Sequence, residues 1–196
     1  MADTLPLPHV RFTTADYSRL IATGVLPDRT ELIDGELLTV AAQGIAHVEC
    51  VRAISCLLER FETTEVGVYA QATASLSDDY APDPDHYVAR LPLRSRDGLP
   101  APEILLAIEV CDSTWARDYN VKRPRYVSAG IPEYWIVNLP ERHLVVCRVP
   151  REGRYQTEYI LSEGDFIQPV AFAAEPMQVR NLLPSAELPV LDSEET

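Results

Sequence analysis

The clearest pattern in the chain is a continuous apolar run, Ile104-Leu105-Leu106-Ala107-Ile108, interrupted by Glu109 and resumed by Val110 and Cys111. An unalternated run of that kind predicts a central strand buried on both faces. Asp112-Ser113-Thr114 close it with residues that cap helices and make turns. A helix is predicted from about 116 to 129, stopped by Gly130 and Pro132, followed by a strand at 133–137, EYWIV. Strand, helix and strand in that order form a right-handed crossover between parallel strands.

Upstream, Thr13 and Asp16 have the spacing of a capping box and open a short helix, 15–22, ended by Gly24 and Pro27. TELIDGELLTV reads as a hairpin about an Asp34-Gly35 turn, with Glu36 as an exposed strand residue. Residues 46–62 form an amphipathic helix whose apolar stripe is Val51, Ile54, Leu58 and Phe61, with His47 one turn ahead on the same stripe. A long strand over 66–76 and a strand at 85–90 come next, separated by APDPD. Its prolines impose extended geometry on their neighbours, making Asp83 a solvated turn residue and Asp85 the start of the strand. A polar loop at 92–102 is long enough to stand at a site mouth. Strands at 143–149 and 154–161 extend the sheet antiparallel, and the proline-rich remainder is irregular.

Composition narrows the class. At 196 residues and 46% apolar content the chain suits one folded domain. We divide it into an arm at 1–12, a domain at 13–184 and a tail at 185–196. No apolar run is long enough to span a bilayer, and the first residues lack the pattern of a signal peptide, so a cytoplasmic protein without a membrane partner is expected. The four cysteines, at 50, 56, 111 and 147, have no metal-ligand spacing and read as buried free thiols. A net charge of −13 argues against high-affinity binding to nucleic acid through general phosphate neutralisation. The basic residues Arg90, Arg94, Arg96, Arg117, Lys122, Arg123 and Arg125 nevertheless bunch mid-chain, where they could form a local positive face.

A carboxylate inside an apolar strand needs a cation, a proton or a metal ion. Glu109 therefore draws attention, and Asp85 on a neighbouring strand could lie beside it. Such a pair binds Mg²⁺ or Mn²⁺. Lys122 has two readings: a surface i,i+4 ion pair with Asp118, or a side chain leaning back over the strand end toward Glu109. His47 also has two, a hydrogen-bonded histidine at a helix start or a member of a site. Metal, carboxylates and lysine are the parts needed for phosphodiester hydrolysis.

The stretches ELIDGELL, APDPDHYVAR and AIEVCDSTWARDYNVKRPRYVSAGIPEYWIVN closely resemble the Uma2 family, also called DUF820, of restriction-endonuclease-like proteins. The resemblance covers roughly 13–184. It implies an α/β (α+β) fold of the PD-(D/E)xK nuclease superfamily: a core α-β-β-β-α-β with an N-terminal hairpin and extra C-terminal strands. It implies Asp85 and Glu109 as metal ligands and catalytic residues. Cys111 stands where the superfamily lysine is expected, so the resemblance implies Lys122 as its replacement, with Glu36 and His47 at polar positions near the site. The expected function is a Mg²⁺- or Mn²⁺-dependent endonuclease acting on DNA, with RNA or single strands as alternatives. A homodimer is expected, with Tyr134-Trp135 and the edge strands as surface to be covered. The rival reading is an inactive nucleic-acid- or protein-binding module of the same fold.

Overall fold

The computed structural model describes residues 10–40, 42–93, 95 and 98–185. The expected arm at 1–12 (save its last three residues), the tail at 185–196 (save Ser185), and Arg94 and Arg96 lie outside the described residues.

In chain order the elements are α1 (Thr14–Thr23), β1 (Thr30–Ile33), β2 (Glu36–Thr39), α2 (Ile45–Leu58), β3 (Val66–Ala70), β4 (Ala74–Ser75), β5 (His86–Arg90), β6 (Leu99–Pro100) and β7 (Ile104–Cys111). There follow α3 (Trp115–Arg117), a π-helical turn (Asp118–Lys122), α4 (Arg123–Ser128), β8 (Glu133–Asn138), β9 (His143–Arg151), β10 (Arg154–Ser162), β11 (Phe166–Ile167) and β12 (Met177–Gln178). Six strands form the main sheet in the order β10-β9-β8-β7-β5-β3. β7 and β8 are parallel, and every other neighbouring pair in that sheet is antiparallel. This is the mixed α+β architecture expected, and the crossover from β7 to β8 falls where the pattern placed it.

Strand alternation sorts β7 between two cores. Leu106, Ile108 and Val110 pack with Cys50, Ile54 and Leu58 of α2. Ala107 and Cys111 pack with Tyr126 and Val127 of α4. Glu109 has the parity of the second set, so it points toward α3 and α4. That is why its carboxylate meets residues of the crossover helix.

The helical segment after β7 is not a regular α-helix. The Arg123 N–H reaches back to the Asp118 carbonyl, closing a π turn. Pro124 follows immediately, at the start of α4. A π turn disrupts the ordinary ladder at the point where proline has no N–H to give, so the ring is accommodated without breaking the element. The same turn lines up Asp118, Lys122 and Tyr126 on the buried face.

Four expectations need correcting. The long strand at 66–76 is broken: Gln71 adopts φ 49°, and Ala74–Ser75 pairs instead with Leu99–Pro100. The buried stripe of α2 is His47, Cys50, Ile54 and Leu58, because the packing centre is rotated toward Cys50 and away from Val51. Cys56 is exposed, while the other three cysteines are buried free thiols. Tyr134 and Trp135 are fully buried, since β8 lies between β7 and β9, and so they present no surface to a partner. The capping box and the hairpin form as expected. Asp34 and Gly35 both take positive φ, as a two-residue hairpin turn requires. No described helix is long and apolar enough to cross a membrane.

Candidate active site

The antiparallel register of β5 and β7 pairs His86 with Ile108 and Tyr87 with Ala107. One step further along, Asp85 stands opposite Glu109. Asp85 is just off the end of β5, and its Oδ2 accepts the Val110 N–H at 2.8 Å, so the side chain continues the ladder where the strand stops. Its Oδ1 lies 2.9 Å from His47 Nε2 and accepts from Gln43 Nε2 at 3.2 Å. Gln43 Nε2 also approaches His47 Nε2 to 2.6 Å, so the three polar groups converge on one point. Burial by itself would raise the Asp85 pKa, but the His47 and Val110 bonds outweigh it and hold the group below the usual carboxylate range.

Lys122 is 1% exposed. Its Nζ donates to Glu109 Oε1 at 2.8 Å and to Glu31 Oε1 at 3.1 Å. Tyr126 Oη also donates to Glu109 Oε1, at 2.9 Å, and its ring stacks on Tyr134 with centroids 4.6 Å apart. The surface-pair reading of Lys122 with Asp118 is therefore wrong: both side chains are buried, and the lysine reaches the strand instead. Burial would strip the proton from Lys122, but Glu109, Glu31 and Asp118 more than offset it, and the ammonium is stabilised. Burial pushes Glu109 up to about 8 against the pull of Lys122. The two directions agree on one physical picture, in which several carboxyls compete for a single buried cation and the surplus is met with protons.

His47, Asp85, Glu31, Glu109 and Lys122 line one cleft of about 430 Å³, together with Asp83, Asp112, Ser113, Thr114, Asp118, Arg29 and Arg117. Its wall is the C-terminal end of β7 and the loop beyond. Asp83 is not the solvated turn residue expected. It is half-buried, its backbone N–H donates to Glu31 Oε1 at 3.1 Å, and burial raises its pKa. Asp118 is raised by burial as well. Asp83 Oδ1 and Asp118 Oδ1 are buried without a hydrogen-bond partner.

Of the residues expected at the site, the structure brings together Asp85, Glu109, Lys122 and His47. It does not bring in Glu36, which is exposed on β2 and lines a separate cavity with Asp34, Tyr80 and Arg125. The hairpin contributes Glu31 instead, because β1 is buried along its whole length while β2 faces outward. Sequence reasoning also missed Tyr126, whose only signal was an aromatic one turn after the lysine on the same helical face. The loop at 92–102 contributes no described residue to the cleft; Leu99 and Ala101 pack into the second core.

Oxygen donors of this kind fit a hard divalent cation. Among the described residues no three His, Cys, Asp or Glu groups are already arranged around a common centre. Mg²⁺ commonly keeps several waters and takes only one or two carboxylates, a demand that Asp85 and Glu109 can meet. The two orphaned aspartate oxygens and the raised carboxyls mark the cleft as short of positive charge.

No curated protein matches the chain. Among solved structures, one from Anabaena variabilis ATCC 29413, described as "a putative nuclease belonging to DUF820", superposes with a TM-score of 0.62 at 17% identity, covering 87% of this chain and 97% of that one. At that identity the likeness establishes a shared fold. A family model described as "Uma2: Putative restriction endonuclease" matches residues 15–179, most of the chain, and the chain thus belongs to the Uma2 family.

Proposed function

We propose that the protein is a divalent-metal-dependent endonuclease hydrolysing phosphodiester bonds of DNA. The observation that carries this reading is the convergence of Asp85, Glu109 and Lys122 in one cleft from three separate elements. Asp85 and Glu109 would hold Mg²⁺ or Mn²⁺, which supplies positive charge beside the phosphate and makes water easier to deprotonate. Lys122 fixes Glu109 in place and sets a permanent positive charge at the cleft floor. That charge favours the negative charge gathered in the transition state. His47 holds one oxygen of Asp85, aided by Gln43, and so sets the rotamer of the carboxylate. Cutting both strands of a duplex calls for two such centres, which a two-fold homodimer provides. The open edge of β10, with exposed Ile160, is the surface we assign to it.

A second reading, an inactive binding module, draws on one observation: both oxygens of Asp85 are already bonded within the protein. Incubation with plasmid, linear duplex and single-stranded DNA and with RNA, in Mg²⁺ and in Mn²⁺, separates the two. Metal-dependent cleavage lost in Asp85→Asn and Glu109→Gln supports the nuclease. Absence of cleavage of every substrate by the wild type, with nucleic acid still bound, supports the module.

A further inference from the structure

Three cations line the cleft: Arg29, Arg117 and Lys122. They differ in what they have left to offer. Lys122 is buried at the floor with its ammonium between two carboxylates, so an incoming phosphate would have to displace Glu31 or Glu109 to bond it. Arg117 is different. Its side chain is 34% exposed, and its nearest carboxylate oxygen, Asp118 Oδ1, lies 3.7 Å from Nε. That is too far for a hydrogen bond, and both atoms are buried without any hydrogen-bond partner. Arg117 ends α3, just after Asp112, Ser113 and Thr114 of the loop beyond β7, and lines the cleft with them. A cationic donor left unpaired beside a cleft calls for a partner that arrives from outside.

We propose that Arg117 binds a backbone phosphate of the nucleic-acid substrate at the mouth of the cleft, with Arg29 as a second, outer phosphate contact. This rests on the nuclease reading and assigns the substrate-holding role to Arg117, leaving Lys122 to organise the carboxylates below. The chemistry suits the assignment. A guanidinium offers several donors in a planar fork that matches two phosphate oxygens, and it stays charged at every relevant pH. The neighbouring acids Asp118 and Asp112 restrict the contact to ligands that reach the guanidinium itself, which lets an acidic protein bind a polyanion at one point and repel it elsewhere.

The test is binding of short fluorescein-labelled DNA, single-stranded and duplex, by anisotropy in Ca²⁺ over a series of salt concentrations, with probe length checked afterwards. Arg117→Gln should weaken binding about ten- to a hundredfold, alike for all sequences, and lower the slope of log affinity against log salt by roughly one. Arg29→Gln should lower the slope similarly with a smaller loss of affinity. Arg117→Lys should keep the slope, since the charge remains, but lose several-fold in affinity with the fork. Thermal melting of each variant accompanies the titrations. If Arg117→Gln does not fold, Arg117→Lys and Arg29→Gln carry the test. A wild-type slope and affinity in folded Arg117→Gln, or in both of those two variants, would overturn the proposal and leave the nuclease reading standing. Failure of the wild type to bind any DNA would overturn both.

Discussion

Lys122 Nζ lies closer to Glu109, thirteen positions away, than to Glu31, ninety-one positions away, yet it bonds both carboxylates at once. The lysine ties the N-terminal hairpin to the central strand through the crossover helix. Its removal therefore affects more than catalysis.

Lys122→Met should destabilise the protein by about 3–5 kcal/mol, because the buried carboxyl groups of Glu109 and Glu31 lose the cation that both bond. Adding Glu31→Gln should recover part of the loss. Urea unfolding of the four members of the cycle measures the coupling. Strict additivity would show that the Glu31 bond contributes nothing.

The pH dependence of stability, measured in EDTA, should have two identifiable limbs. Glu109 is raised in the folded state, from 4.5 to about 8, so its contribution is complete below its unfolded value and is lost as pH rises through about 8. Glu109→Gln should flatten the alkaline limb. His86, fully buried with Nε2 2.8 Å from Ser55 Oγ, is lowered by burial from 6.5 to about 4. Its contribution is present above 6.5 and is lost as pH falls toward 4, at up to about 1.4 kcal/mol per pH unit. His86→Leu should remove that slope, and an unchanged acid limb would assign it to other groups.

Divalent binding should release protons, since Glu109 must be ionised to serve as a ligand. Titration calorimetry with Mg²⁺ at neutral pH in two buffers of different ionisation enthalpy should give different apparent heats. Identical heats would show that Glu109 holds no proton to lose. Asp85→Ala with Glu109→Ala should abolish both the heat and the rise in melting temperature that the metal produces.

Tyr126→Phe removes one hydrogen bond to Glu109 and keeps the stack on Tyr134. It should cost about 1.5–3 kcal/mol of stability. A change below a few tenths, by chemical unfolding, would show that Lys122 alone satisfies Glu109.

Sedimentation of the intact chain at micromolar concentration should show a dimer, and a charge placed at Ile160 should dissociate it. A wild-type monomer, or a dimer indifferent to Ile160→Lys, would remove β10 as the interface.

Much of this was legible where a residue's chemistry contradicted its surroundings. Glu109 stood out because an apolar run does not tolerate an unpaired carboxylate, and the Asp-Gly turn fixed the hairpin locally. Glu31 did not stand out. TELI and ELLT look alike as strands, and only the packing of Tyr17 and Ala81 against Leu32 decides that β1 is the covered one. Asp83 was obscured because its flanking prolines describe backbone shape and say nothing of what covers it. Tyr134 and Trp135 failed in the opposite sense: aromatic residues near a strand end read as a surface to be covered, when the sheet had already covered them with β9.

The π turn carries a consequence for how this site can change over time. An α-helix advances about 100° per residue, so the eight steps from Asp118 to Tyr126 would leave the two about 80° out of phase in a regular helix; the wider π turn absorbs that surplus residue and keeps both on the buried face. A one-residue insertion between Asp118 and Lys122 that the turn does not absorb would swing Asp118 and Arg117 about 100° away from the cleft, with no side chain of the site substituted. The position of the basic groups is therefore written in the spacing of the helix as much as in its letters. Deletion of exposed Val121, by contrast, should convert the turn to regular helix and leave Asp118 within about 20° of Tyr126 in phase, so the cleft should survive it.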